Sequence, residues 1–183
     1  MEPISIWWIG ERDVPPEVME QVRAELARAY GVPAALGEPP GRPLDTFDAK
    51  RRQHLSSKIL AWLLQAGGPP GAKLLGLTDQ DLFIPILTYV FGEAQLGGRV
   101  AVASTARLRE DLDPRDERGF VARLVKEAVH EVGHAYGLVH CQVPRCVMSR
   151  CAGVRDVDEK SSQLCPRCRH RLGEPGRSPH VVE

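Results

Sequence analysis

Apolar and polar residues in the first third of the chain form short blocks that predict a strand followed by two helices. The apolar run from Ile4 to Ile9 contains two tryptophans and predicts a buried strand. After Pro15 and Pro16, apolar residues recur at helical spacing as far as Gly31, which predicts a helix that ends at this glycine. The apolar face of this helix consists of Val18, Val22, Leu26 and Ala29. Core packing is the expected role of that face.

The middle of the chain continues the alternation of helical and extended patterns. Pro33 to Pro43 is rich in proline and glycine and predicts a loop, while Leu55 to Leu64 has a helical pattern. Lys73 to Leu77 and Arg99 to Ser104 predict strands, and Tyr89 to Leu96 is a candidate edge strand. This order of elements predicts an α/β (α+β) fold in which helices pack on a sheet.

A further helix is predicted from Gly119, and the composition changes after it. Apolar residues define one packed face of the helix, while Arg123 and Lys126 are expected to point away from that face. The apolar positions are Val121, Leu124, Val125, Ala128 and Val132. After His140 the chain becomes rich in Cys, Arg and Pro. We therefore expect one compact domain made of an N-terminal subdomain, residues 1–140, and a small C-terminal subdomain, residues 141–183.

Length and charge exclude several classes of protein. The 183 residues suffice for one substantial core, and 24 basic residues balance 24 acidic ones. A chain without net charge has no global field to attract nucleic acid or an anionic membrane. The start, Met1 to Pro3, has no basic region, and no segment approaches the roughly 18 apolar residues of a membrane span. We expect a cytoplasmic protein without membrane contact.

Residues 130–140 read H-E-V-G-H-A-Y-G-L-V-H and carry the strongest chemical signal of the sequence. On a helix, His130 and His134 share a face and can point at one metal ion. A continuous helix would place His140 roughly 15 Å from His130 along the axis, too far for shared coordination at about 2.0 Å. The helix must therefore end first, and Gly137 can adopt the left-handed conformation that ends it. The spacing predicts a zinc site with three imidazole ligands.

Such a site predicts amide hydrolysis. Three neutral imidazoles leave zinc an open position for water, whose pKa then falls to roughly 7. Glu131 can take the proton from this water and pass it to a leaving amine, so we expect it to act as general base and acid. A bare H-E-x-x-H can occur by chance on an amphipathic helix, but Gly137 and His140 at the required offsets argue against this. Met148, eight residues after His140, is typical of the metzincin class, although core packing would also explain it.

All five cysteines lie between Cys141 and Cys168. Cys165 and Cys168 form a C-x-x-C knuckle, and Cys141 with Cys146 forms a second pair, which together predict a closed tetrahedral site for structural zinc. A redox role would require a thioredoxin-like context that the flanking sequence lacks. Cys151 is left over and could replace Cys146, remain a free thiol or be a partly buried bystander. Clustered metal-type cysteines fit a reducing compartment, and the sequence predicts two zinc ions in all.

The combination of these motifs resembles the archaemetzincin family of zinc peptidases. His130 to His140, followed directly by Cys141 and then by Cys146, Met148, Cys165 and Cys168, carries the resemblance. Further similar stretches lie upstream and extend it over most of the chain: Arg51 to Gln53, Leu75 to Asp79, Asp81 to Phe83, Val90 to Ala94, and Lys126 with Glu127.

The resemblance implies a metzincin-like fold, with a twisted mixed sheet, an antiparallel edge strand, an active-site helix and a small Cys-rich C-terminal lobe that binds zinc. It implies His130, His134 and His140 as ligands of catalytic zinc and Glu131 as the catalytic residue. The four paired cysteines would hold the structural zinc. In such folds a peptide substrate lies antiparallel to the edge strand. The peptide thereby becomes an additional strand of the sheet. We therefore expect a zinc metallopeptidase that acts on peptides or proteins.

Two other functions stay open at this point. A zinc-stabilised binding module could bind a peptide or, less favoured, nucleic acid through Arg167, Arg169, His170 and Arg171. A latent or scaffold protein would hold zinc and cleave only after activation or only a narrow substrate. Endopeptidase and aminopeptidase activity are both compatible with the motifs. An exopeptidase needs a charged anchor for the substrate terminus, and Asp79, Asp81 and Glu93 are candidates. The oligomeric state is equally open.

Overall fold

A five-stranded mixed sheet, flanked by three long helices, lies at the centre of the molecule. The computed structural model describes residues 1–173. In chain order its elements are β1 (Ile4–Trp8), α1 (Pro16–Tyr30), β2 (Ala34–Gly37), β3 (Phe47–Asp48), β4 (Gln53–Leu55), α2 (Ser56–Ala66), β5 (Lys73–Thr78), β6 (Leu82–Phe83), β7 (Gly92–Ala94), β8 (Val100–Ser104), α3 (Glu117–Ala135), α4 (Val154–Glu159) and α5 (Pro166–Leu172). Within residues 1–173, no helix is both long enough and apolar enough to cross a membrane.

The strand order of the main sheet is β2-β1-β5-β8-β7. The first four strands pair in parallel, while β7 pairs antiparallel with β8 and forms one edge. The central strand β5 is buried at every position, as expected for a parallel strand covered on both faces. This arrangement confirms the predicted α/β fold with an antiparallel edge strand.

Helices cover both faces of this sheet. One core cluster joins α1 and α3 to alternate residues of the strands, among them Ile6 and Leu75. A second cluster joins Ile59 and Leu63 of α2 to the opposite face. Since α1 ends at Gly31 with a positive φ of 65°, the chain can turn back directly into β2. The sheet and α1 thereby form a rigid support for α3.

Some predicted boundaries differ from the structure. The expected loop from Pro33 to Pro43 contains β2, whose Ala34 pairs with Ile4 in a parallel register. The edge strand is confined to Gly92–Ala94 rather than extending from Tyr89 to Leu96. A second sheet, with the order β3-β4-β6, was not predicted because its strands have only two or three residues. Tertiary pairing, which local sequence patterns do not encode, determines such short strands.

Arg123, which was predicted to point away from the apolar face of α3, is nevertheless buried, with only 2% of its side chain exposed. Its guanidinium donates two hydrogen bonds to the carboxylate of Asp158, at 2.8 and 2.6 Å, and one to the carbonyl of Leu108 at 2.8 Å. Lys126 donates to the carbonyl of Val157 at 2.9 Å. Segments with matching polar groups therefore cover the polar side of α3, which a hydrophobic pattern cannot reveal.

The region after residue 140 is built differently from the rest. Every strand of the described residues lies before residue 105, whereas α4 and α5 are short helices joined by irregular segments. We propose that residues 1–140 and 141–183 form the two subdomains expected from the sequence, of which residues 174–183 lie outside the described part.

Candidate metal centres

Helix α3 presents the first two histidines, and a glycine turn returns the third. The side chain of Asp116 caps the helix by accepting a hydrogen bond from the backbone N–H of Gly119 at 2.8 Å. The helix ends at Ala135, and Gly137 has a positive φ of 90°. Its N–H donates to the carbonyl of His134 at 2.8 Å. The predicted helix end at this glycine therefore turns the chain as the spacing of the motif requires.

The three imidazoles of His130, His134 and His140 converge. The ring centroids lie 4.6 Å (His130–His134), 4.9 Å (His134–His140) and 5.3 Å (His130–His140) apart. One nitrogen from each ring lies within 4.8 Å of the others. His130 and His134 are buried or half-buried, whereas His140 is exposed.

Hydrogen bonds fix the orientation of two of the rings. Nδ1 of His130 lies 2.8 Å from the carbonyl of Val147, and Nδ1 of His134 lies 2.7 Å from that of Leu138. A carbonyl can only accept, so Nδ1 must carry the proton in both rings. Their Nε2 lone pairs then face each other at 3.0 Å. Two acceptors at this distance repel unless a cation lies between them, so the donor set fits a metal ion.

Electrostatics favour the neutral, ligating form of all three rings. Burial lowers the pKa of His130 well below its usual value, and the positive charge of Lys160 adds to this effect. Burial also lowers the pKa of His134. Although part of His140 is exposed, the loss of water around the rest of its ring, followed by the charges of His134 and Arg150, lowers its pKa to about 4. Neutral imidazole is the form that binds zinc.

Glu131 is buried beside this cluster and faces the edge strand. A Cβ atom at Gly92 would lie 2.6 Å from Cγ of Glu131 and 2.5 Å from the carbonyl of Val102. Only glycine therefore allows β7 to lie this close to the carboxyl group. Burial raises the pKa of Glu131 well above its usual value, and the nearby charge of Glu127 raises it further. The group thus has a raised affinity for a proton.

Met148 lies directly beneath the helix turn that carries the histidines. A Cβ atom at Gly133 would lie 2.4 Å from its sulfur, so Met148 packs against α3 between the positions of His130 and His134. The carbonyl of Met148 accepts a hydrogen bond from the N–H of Cys141 at 2.8 Å. The methionine that the sequence singled out therefore contacts the segments that bear the histidines.

A second cluster consists of four free thiols. The Sγ atoms of Cys141, Cys146, Cys165 and Cys168 all lie within 4.8 Å of one another. Two of the pairs, Cys141–Cys165 and Cys146–Cys168, are each separated by 3.8 Å. Tetrahedral coordination at a Zn–S distance of about 2.3 Å requires an S–S separation of about 3.8 Å. The four thiols thus fit a closed zinc site.

Cys151 lies outside this cluster. It lies near a buried ion pair, formed by Glu127 and Lys160, that was not predicted from the sequence. Burial raises the pKa of Cys151. Nearby, the ammonium group of Lys160 lies 2.8 Å from the carboxylate of Glu127, and their side chains are only 1% and 3% exposed. This buried ion pair joins α3 to the segment after α4. The only sequence signal was Glu127 within the stretch that resembles archaemetzincins.

The three acids considered as anchors for a substrate terminus already have partners. Asp79 accepts hydrogen bonds from two backbone N–H groups, at 2.7 and 3.2 Å. Asp81 accepts two hydrogen bonds from Arg107, each of 2.8 Å, while Glu93 bonds to the hydroxyl of Ser56. These interactions stabilise the strands and loops around the site. The basic group near the C-terminus lies on α5 and is exposed: Arg167, Arg169, His170 and Arg171.

The chain is similar to known proteins over most of its length. The family model of Peptidase family M54 matches residues 70–174. The archaemetzincin of Haloquadratum walsbyi is 35% identical over 165 residues, which cover 87% of this chain and 94% of that protein. The archaemetzincin of Methanopyrus kandleri is 42% identical over 130 residues, which cover 71% of each chain.

Solved structures share the fold. The crystal structure of archaemetzincin from Methanopyrus kandleri has a TM-score of 0.83 at 33% identity and covers 94% of this chain and 93% of its own. A zinc-dependent peptidase from Methanocorpusculum labreanum has a TM-score of 0.81 at 29% identity, with 92% and 99% coverage. Fold and family together define the class of the protein as zinc metallopeptidase. Within this class, the chain belongs to Peptidase family M54, the archaemetzincins, which confirms the resemblance seen in the sequence.

Proposed function

We propose that this metallopeptidase cleaves peptide bonds at a zinc ion held by His130, His134 and His140, with Glu131 as the proton carrier. The observation that carries the proposal is the distance of 3.0 Å between the Nε2 atoms of His130 and His134, because the hydrogen bonds of both Nδ1 atoms leave these two nitrogens unprotonated. When bound there, zinc supplies Lewis acidity that polarises a carbonyl and brings the pKa of water to roughly 7.

Two backbone carbonyls orient the ligands. The hydrogen bonds from Nδ1 of His130 to Val147 and from Nδ1 of His134 to Leu138 select the tautomer that leaves Nε2 free to bind. They also raise the basicity of each ring. His140, in the loop after Gly137, is the third zinc ligand. Because His140 is exposed, a substrate can approach the zinc from its side.

Glu131 moves the proton that hydrolysis requires. One carboxylate oxygen of Glu131 accepts a proton from the attacking water molecule. At the same time, the oxygen of this water forms a bond to the carbonyl carbon of the substrate. The same group then donates this proton to the amine nitrogen as the C–N bond breaks. Since burial raises the pKa of Glu131, the group can hold the proton between the two steps.

The edge strand supports a peptide as substrate. One side of β7 pairs with β8, and within residues 1–173 no strand pairs with its other side, where an extended peptide could add to the sheet. Because Gly92 brings β7 into contact with Glu131, a peptide added to this edge would pass close to the carboxyl group. We propose that substrates bind antiparallel to β7.

We further propose a second zinc ion, held by Cys141, Cys146, Cys165 and Cys168. The S–S separations of 3.8 Å support tetrahedral coordination by four thiolates. Such a site has no open position, so its role would be to stabilise the region after residue 140. The protein would then hold one catalytic and one structural zinc.

The first test compares zinc-loaded wild-type protein with Glu131→Gln protein of equal metal content. We expect the variant to cleave a diverse peptide mixture about 10²–10⁴-fold more slowly, because it cannot accept the proton. Mass spectrometry of the products gives both the rate and the positions of cleavage. Glu117→Gln, an exposed position on the same helix, serves as the matched control. Undiminished cleavage by Glu131→Gln would contradict the proposed role, and no cleavage by either zinc-loaded protein would favour a binding function.

A further inference from the structure

The buried ion pair of Glu127 and Lys160 joins α3 to the region after residue 140 beside the histidine cluster. The ammonium group of Lys160 lies 2.8 Å from the carboxylate of Glu127, and the two side chains are only 1% and 3% exposed. Salt screens such a buried pair much less than a pair on the surface. On α3, Glu127 precedes His130 by three residues and therefore lies one turn before it on the same side of the helix. Lys160 is thus fixed to the helix next to the first proposed zinc ligand.

The chain that follows this lysine is paired with the segment that orients the first histidine. Two backbone hydrogen bonds join residues 161–163 to residues 145–147 in a short ribbon. One runs from the N–H of Ser161 to the carbonyl of Arg145 at 2.8 Å, and the other runs from the N–H of Val147 to the carbonyl of Gln163 at 3.0 Å. The position of Lys160 therefore determines the position of this ribbon.

The ion pair and the ribbon close a ring of contacts around His130. From α3 the ring passes through Glu127 and Lys160 to the ribbon. It returns to α3 through the carbonyl of Val147, which lies 2.8 Å from Nδ1 of His130. Both ends of the ring lie on one turn of the same helix. A shift of the ribbon relative to α3 would therefore strain the ion pair or the hydrogen bond that selects the ligating tautomer of His130.

We propose that Lys160 is a positioning residue for the histidine zinc site, because it holds the carbonyl of Val147 in place for His130. Replacement of a buried ion pair by apolar side chains often leaves stability unchanged, so geometry explains this pair better than stability does. The inference rests on the proposed function, since it requires that His130 binds zinc. It assigns no step of hydrolysis to Lys160 itself.

Loss of the ion pair should affect the histidine cluster and spare the cysteine cluster. All four thiols of that cluster belong to residues 141–168, so they move together with the ribbon. His130 belongs to α3 and is joined to the ribbon across the contact that Lys160 secures. Groups that orient a metal ligand typically contribute about 10–100-fold to metal affinity. Because Lys160 acts through Val147, we expect its loss to weaken metal binding by the histidines by about tenfold.

The experiment measures cobalt binding by protein whose cysteine cluster is filled with zinc. The visible absorption of cobalt then reports on the histidines, whether or not the protein cleaves peptides. In the double variant Glu127→Met/Lys160→Met, two apolar side chains replace the pair, so the protein should remain as stable as wild type. It should bind cobalt about tenfold more weakly and with a changed absorption spectrum. Lys160→Arg keeps the positive charge and should recover most of the affinity.

Lys126→Met is the matched control. Lys126 also joins α3 to the region after residue 140, but it donates to the carbonyls of Val157 and Asp158, at 2.9 and 3.0 Å, rather than to a side chain beside the ribbon. Its replacement should leave cobalt binding at the wild-type level. Equal weakening by Lys126→Met and by the double variant would overturn the inference, since the effect would then come from any loosening of the C-terminal region.

The remaining outcomes separate this inference from the hydrolytic proposal. Wild-type cobalt affinity and spectrum in the double variant would overturn the role of Lys160 and leave hydrolysis untouched. Cobalt binding by the histidines of a wild-type protein that cleaves nothing would contradict hydrolysis alone. A wild type whose histidines bind no cobalt would overturn both. If the double variant does not fold, Lys160→Gln, which removes only the charge, takes its place, and unchanged cobalt affinity in that protein would equally overturn the inference.

Discussion

The histidine and cysteine clusters are two potential zinc sites built on opposite plans. The first offers three neutral nitrogens, one of them on the exposed residue His140. The second offers four thiols with separations that match a filled tetrahedron. Three ligands leave a coordination position for chemistry, whereas four leave none. From the number of ligands we therefore propose catalysis for the histidine cluster and stabilisation of the fold for the cysteine cluster.

The two clusters nevertheless share one short segment. Cys146 contributes a thiol, the carbonyl of Val147 orients His130, and Met148 packs beneath Gly133. His140 and Cys141 are joined by a peptide bond. We infer that a change at the cysteine cluster displaces groups that orient the histidines. The two sites are therefore coupled, although their proposed roles differ.

The largest effect is expected from Cys165→Ser. Structural zinc contributes on the order of 10 kcal/mol in small metal-bound domains, which is comparable to the whole stability of a typical protein. We therefore expect loss of the cysteine-bound zinc and unfolding of the region after residue 140. Activity should fall as well, because the segment that orients His130 loses its support. Metal analysis, chemical denaturation and peptide cleavage measure the three consequences.

Cys151→Ser is the matched control, because this thiol lies outside the cluster. It should retain wild-type metal content and activity. A Cys165→Ser protein with normal metal content and normal activity would contradict both the ligand assignment and the coupling of the sites.

The metal clusters could be predicted because their information is local. The spacing of His130, His134 and His140 requires a helix that ends at Gly137, and the structure has this end. The paired cysteines were predicted from spacing in the same way. Each prediction depends on residues that are neighbours on one helix, in one turn or in one knuckle.

Features that depend on distant partners could not be predicted. The sequence placed Arg123 away from the apolar face of α3, but it did not reveal that Asp158, far along the chain, pairs with Arg123 and that the side chain is buried. The pair of Glu127 and Lys160 and the contact of Tyr89 with Ala152 are of the same kind. Hydrophobic periodicity reports which residues are apolar, and it contains no information on which polar groups will meet.

A smaller effect is expected from Gly133→Ala, which introduces a methyl group between α3 and Met148. The added Cβ would lie 2.4 Å from the sulfur of Met148 and 3.0 Å from the hydroxyl of Tyr30. Overpacking of this kind costs about 1–3 kcal/mol. We expect weaker zinc binding by the histidines and reduced cleavage, while the cysteine-bound zinc is retained.

Gly41→Ala is a suitable control, since a Cβ there meets no atom within 4 Å. Replacing Met148 by Ala in the Gly133→Ala protein should restore space, so the two changes should not be additive. Additive effects, or equal zinc loss from both clusters, would show that Met148 does not act specifically on the histidine side.

The smallest effect is expected from Asp158→Asn, which weakens the attachment of the C-terminal region to α3. The buried Arg123 would lose two charge-assisted hydrogen bonds, but Asp158 is about half exposed, with 49% of its side chain accessible. We therefore expect a loss of only about 1 kcal/mol in the free energy of unfolding. The zinc content should equal that of wild type, because the substitution touches neither the histidine nor the cysteine cluster. Glu117→Gln, which removes a surface pair with Arg109, should leave stability unchanged.

The pH dependence of this effect has a definite sign. The hydrogen bonds from Arg123 hold the pKa of Asp158 below its ordinary value of 3.8. A carboxyl group with a lowered pKa stabilises the fold above its unfolded pKa, and this contribution is lost as the pH falls through the folded pKa. The difference between wild type and Asp158→Asn should therefore be the same at pH 8 and pH 5, where zinc ligation can still be verified. Denaturation curves that converge by pH 5 would mean that Arg123 does not hold Asp158 ionised, and the attachment of the C-terminal region would then depend on Glu127 and Lys160.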